Sequence, residues 1–146
     1  MTTPASPHSD HDEKAAFEAI FDALEAPEID VAWKNTAAEI DATPEMRKEA
    51  IAWVRNHRNF FVQALRDVND PIDLRLTLAL RYIELKSVWI QFNTTINYCL
   101  MNKGEADPRS LLCSSLISQL LISVESLLKP EEVEQISNFL NTPINV

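Results

Sequence analysis

Apolar and polar positions follow a helical period along most of the chain, most regularly between Asp70 and Lys103. There Leu78, Tyr82, Leu85, Trp89, Phe92, Ile96 and Cys99 recur three or four residues apart, the spacing that aligns side chains on one helix face. A second apolar stripe, Ile72, Leu76, Ala79, Ile83, Ile90 and Met101, runs beside the first. Asp70-Pro71 opens the segment as an N-cap residue followed by proline, and Gly104 closes it. A helix apolar over so wide an arc is expected to be contacted from at least two sides. The pattern therefore predicts a long central helix near residues 71–103.

The same punctuation recurs on both sides of it. Thr43-Pro44 starts a helix to about Val68, with Ala50, Val54, His57, Phe61 and Ala64 facing inward. Asp107-Pro108 starts another to about Lys129, carrying the row Leu112, Leu116, Leu120, Val124 and Leu127. Pro130 begins a last short helix with Val133, Ile136, Phe139 and Leu140, and Asn141 onward reads as an extended tail. Upstream, a short helix is expected from Asp12 to Ala26, ended by Pro27, with a weaker one from Ile29 to Ile40. The fold class is thus all-α: a single-domain bundle of five to six helices. Residues 1–11 read as a disordered tail, 12–146 as the domain, and 12–42 as an arm that can dock and be displaced. Leu85, Trp89, Phe92, Phe61 and Leu120 are the expected core.

Composition narrows this further. The chain has 146 residues and a single glycine. A glycine-rich phosphate loop is excluded, and hairpin turns that need positive φ are almost impossible to supply. Residues 1–45 hold eleven acids and two bases, and so carry the whole net charge of −9. The remainder is neutral. An acidic arm on a neutral bundle argues against direct nucleic-acid binding, which needs clustered cations. The first residues lack the charged-then-apolar pattern of a secretory leader, so a soluble cytoplasmic protein is expected.

Candidate chemistry is sparse. His57, among Trp53, Phe60 and Phe61, reads first as a largely buried, hydrogen-bonded core residue. Its sharper readings are a titrating switch or a nucleophilic pair with Cys99 or Cys113. His8, Asp10, His11, Asp12 and Glu13 could hold a metal weakly, but an incidental polar tail is the simpler reading. No cofactor is expected. Arg75, Lys86, Asn93 and Asn97 sit between the two stripes of the long helix, as a polar seam for a partner or as side chains satisfied internally. Ser110, Ser114, Ser115, Ser118, Ser123 and Ser126 give the next helix a small, uncharged face that suits either an internal contact or an interface.

The expectation is a protein-binding module without catalytic activity: an adaptor, chaperone or inhibitor whose partner has a basic surface. Self-association is a further option. Its partner-facing residues would be Glu18, Asp22, Glu25 and Trp33 on the arm, with Arg75, Lys86, Asn93 and Asn97 on the long helix. Two alternatives stand beside it. One is a bundle enzyme or small-ligand binder with a pocket near His57 and Trp89; the other is an acidic nucleic-acid mimic. Arg47, Lys48, Arg55, Arg58 and Arg66 are expected to cradle the acidic arm.

Overall fold

The computed structural model describes residues 6–141, with the side chains of residues 6–14 and of Pro71 left out. Among the described residues there are six helices and no strand: α1 (Ser6–Leu24), α2 (Pro27–Ala38), α3 (Pro44–Arg66), α4 (Pro71–Lys103), α5 (Pro108–Glu125) and α6 (Pro130–Asn141). Prolines stand first in α2 to α6, where a missing N–H costs nothing. Pro27 thus begins a helix rather than only ending one. Thr43, Asp70 and Asp107 cap α3, α4 and α5, accepting from the backbone N–H of Met46, Ile72 and Arg109 at 3.2, 2.9 and 2.9 Å. Gly104 ends α4 with φ +78°, the left-handed conformation that the chain's only glycine supplies without strain.

The start of α1 corrects the expected tail: the helix begins at Ser6, six residues before Asp12. Residues 1–5 of that tail and 142–146 of the expected C-terminal tail lie outside the described residues, as do the side chains of the His8–Glu13 group.

The centre of the bundle is α5. Its Leu112, Leu116, Ile117 and Val124 are wholly buried, and α2, α3 and α4 all pack around it. A helix with no charged side chain between Ser110 and Val124 can be enclosed without stranding a charge. Ser114 is buried and donates to Asn93 Oδ1 at 3.0 Å, so that side of the serine-rich surface is internal. Tyr82 donates to Glu125, and the pairs Tyr82–Glu125 and Asn93–Ser114 set α4 antiparallel to α5.

The longest helix, α4, lies against α5 rather than at the axis. Leu78, Tyr82, Leu85 and Ile96 are buried beneath it, as the first stripe predicts. Phe61 and Leu120 are buried as well. Trp89 and Phe92 are only partly so, although Ile96 beyond them is buried again. Lys86 covers the Trp89 ring at 4.7 Å, and Phe92 meets Trp53 edge-on at 5.4 Å.

Four of the five expected cradle residues hold α1 and α2. Neither helix has a base in its own last turn, so α3 supplies the cations for their exposed carbonyls. Arg47 donates to the carbonyls of Ala37 and Ile40 at 3.0 and 2.7 Å. Arg58, 6 % exposed, donates to Leu24 O at 3.2 Å and lies 5.2 Å over the Trp33 ring. Arg55 pairs with Asp30 at 3.3 Å, and Arg66 with Glu25 at 2.9 Å. Lys48 is exposed. Phe17, Phe21, Leu24, Trp33 and Ala37 join the same apolar core as α3, α4 and α5.

Arg58→Ala leaves the Leu24 carbonyl without its charged donor and uncovers Trp33. It should cost about 2–3 kcal/mol, the scale of a lost hydrogen bond to a charged group. Arg58→Lys should recover only part of this, because an ammonium cannot reproduce the planar fork. Urea denaturation with an unchanged slope and a lower midpoint is the expected readout; an unmoved midpoint would remove Arg58 from the lock.

Candidate functional site

A helix of 33 residues is about 50 Å long, and α4 presents two apolar faces along that length. At about 100° per residue, the Leu78–Ile96 stripe and the neighbouring Ile72–Met101 stripe are centred more than a quarter-turn apart. The structure covers most of the first and, of the second, only Ala79 and Ile83 in part. Ile72, Leu76, Leu80 and Met101 are 79, 58, 52 and 86 % exposed, and Ile90 and Tyr98 continue the line. Contacts from α5, α3, α1 and α6 meet the expectation of a helix touched from at least two sides, yet this part of the second stripe, the outer face of α4, stays uncovered. Most of the large apolar side chains exposed among the described residues lie on α4.

The charged surroundings of this outer face are mixed, with Lys103 exposed at the Met101 end and Lys129 exposed just before α6. Every base on the body of α4 is matched to an acid: Arg75 to Glu132, Arg81 to Glu84 at 2.9 Å, and Lys86 to Glu125 at 3.9 Å. Asp73 on α4 and Glu131 on α6 are exposed beside this region, since α6 is held to α4 through Glu132. Glu18 is exposed too, but the recess it shares with Leu74 lies on the buried, core-facing side of α4 and not on the outer face. At the N-terminal end of the apolar face the nearby exposed acids are therefore Asp73 and Glu131, with Lys129 close to the latter.

Of the sequence-predicted site residues, Glu18 and Asp22 are exposed, and Glu25 is exposed but paired with Arg66. Trp33 is a correction. At 1 % exposure it is a core residue beneath Arg58, with no surface to offer a partner. The polar seam splits. Arg75, Lys86 and Asn93 are occupied by Glu132, Glu125 and Ser114, whereas Asn97 is exposed. Leu80 and Tyr98 on the outer face were missed. Leu80 follows Leu76 by four residues, a signal the sequence did carry.

A second feature is a recess of about 350 Å³ between α3 and α4. Both helices pack mainly on α5 and touch each other far less, which leaves the gap. Trp53, Phe60, Phe61, Leu85 and Val88 supply its apolar walls. His57, Asn56, Arg81 and Glu84 also line it; Trp89 does not. Arg81 grips both carboxylate oxygens of Glu84, at 3.1 and 2.9 Å, and lies 5.4 Å over the Phe60 ring.

His57 is half-buried rather than largely buried. It meets Trp53 edge-on at 4.5 Å between ring centroids and makes no hydrogen bond among the described residues. Neither cysteine lines its recess. Burial, followed by the charge of Asp107, pushes the Cys113 thiol up, away from the thiolate a nucleophile needs. Burial also lowers the His57 pKa from the ordinary 6.5. The unfolded chain then takes up this proton before the folded one does. The resulting stability is complete above the ordinary value, falls as the pH drops below it, and levels off under the folded value. Between about pH 7.5 and about pH 5.5, wild type should therefore lose more thermal stability than His57→Gln. Equal losses would place the acid sensitivity elsewhere.

Among the described residues, no group of three or more His, Cys, Asp or Glu side chains could hold a metal ion. No helix among them is long and apolar enough to cross a membrane. No protein-family model, curated protein or solved structure matches this chain.

Proposed function

We propose that the protein is a helical binding module whose outer α4 face receives an amphipathic helix with basic flanks from another protein. The observation that carries this reading is the exposed line Ile72, Leu76, Leu80, Ile90, Tyr98 and Met101 along one side of a 33-residue helix. Contiguous exposed apolar surface on a folded domain is the usual mark of a docking site. An apolar helical stripe suits another helix, read by side chains three and four residues apart. The basic flanks follow from Asp73 and Glu131 near one end of the stripe, where Arg75 and Arg81 are matched to Glu132 and Glu84. A second copy of the chain is the weaker occupant, because each copy brings a net charge of −9 and the same acids. The two free cysteines suit a reducing, cytoplasmic setting.

Titration with model peptides tests this reading. The probes are an 18-residue leucine–lysine amphipathic helix, a scrambled peptide of the same composition, and a leucine–glutamate counterpart. The leucine–lysine helix should bind at least tenfold tighter than either, with an affinity that falls as salt rises. Equal binding of the scrambled peptide would reduce the interaction to charge alone. A concentration-dependent dimer that blocks peptide binding would assign the face to self-association instead.

A further inference from the structure

We propose that the recess between α3 and α4 is a second, separate site, for a neutral small molecule with a fused ring body and a hydroxyl or carbonyl group. Its volume of about 350 Å³ lies within the range of pockets that enclose such ligands. The walls suit a flat ring: Trp53 is fixed edge-on between His57 and Phe92, and Phe60 and Phe61 stand beside it. Aromatic surfaces of this kind favour edge and offset contacts with a ligand ring.

Two polar groups are available to orient that ring. Neither His57 nor Asn56 forms a hydrogen bond among the described residues, though both line the recess. A neutral imidazole offers one donor and one acceptor, and an asparagine amide offers both kinds. A hydroxyl or carbonyl on the ligand can use either. Charge sets the ligand class. The one cation at the mouth, Arg81, is held by both oxygens of Glu84, so the rim is electrically balanced. An anionic ligand would have to displace that carboxylate or sit beside it.

The site is distinct from the outer face. Val88 and Arg81 point to the α3 side of α4, while Leu76 and Ile90 point away from it. The proposal therefore stands whether or not a helix docks on that face.

The test uses the full chain and N-phenyl-1-naphthylamine, an uncharged ring compound whose emission rises in apolar surroundings. Saturable one-to-one binding is expected. Val88→Trp, which fills the recess, should weaken it at least tenfold, and Phe60→Ala, at an exposed wall position, should weaken it about threefold. Phe60→Ala serves as the second variant if Val88→Trp does not fold. Leu76→Glu should leave the probe's affinity unchanged. The sulfonated analogue 8-anilinonaphthalene-1-sulfonate should bind no tighter than the neutral probe. Three results would overturn the proposal: no saturable binding, full binding by a folded Val88→Trp or Phe60→Ala, or loss of binding in Leu76→Glu. A tenfold preference for the sulfonate would overturn the neutral ligand class.

Discussion

Leu116→Ala is expected to destabilise the protein by about 2–5 kcal/mol, with the larger part of that range favoured by its position. Leu116 is wholly buried on α5, the helix that α2, α3 and α4 enclose. Truncating it removes apolar contacts and leaves a cavity whose walls belong to several helices, so no single helix can close it by a small shift. Leu76→Ala is the matched control. It deletes the same atoms from the exposed face of α4, where the cost should stay within about 0.5 kcal/mol. Urea midpoints of the two variants, read against wild type, check the contrast. Similar losses at both positions would show that the outer stripe of α4 is internal and that the bundle is centred differently.

Leu76→Glu carries the largest expected effect on binding. Leu76 lies in the middle of the Ile72–Leu80 end of the outer stripe, near the exposed acids Asp73 and Glu131. Central apolar anchors typically contribute 2 kcal/mol or more to an interface, and a carboxylate there adds the cost of burying a charge. The affinity for a leucine–lysine helix should therefore fall about 30-fold or more, since about 1.4 kcal/mol corresponds to a factor of ten. The added negative charge alone would strengthen a purely electrostatic attraction to the same peptide. The sign of the change thus separates apolar docking from charge attraction. The thermal midpoint should move little, because the side chain already faces solvent.

Much of the fold was legible because its signals are local. Thr43-Pro44, Asp70-Pro71 and Asp107-Pro108 each carry a cap and a first-turn proline, so three helix starts could be read from adjacent residues. The failures are non-local. Periodicity shows that α4 has two apolar stripes, but whether a neighbour covers the second depends on which helix takes the centre. That place went to α5, whose uncharged run was visible but suited an interface equally well. Trp33 looked available because its segment is acidic and short. Its burial depends on Arg58 from another helix, 25 residues on, which also satisfies the end of α1. The recess near His57 was expected from its aromatic neighbours, but with Trp89 in its wall. Trp53 occupies that place, since the gap lies on the α3 side of α4.

Site-specific photocrosslinking in the native host tests the central claim most directly, with a benzophenone amino acid at Leu76 on the outer face and, for comparison, at Ile122 on the exposed side of α5. Crosslinks from position 76 should map to one segment of another protein, apolar on one helical face and rich in Lys and Arg on its flanks, and should be absent from position 122. Crosslinks from position 76 that map only to copies of this chain, or that match those from position 122, would contradict it.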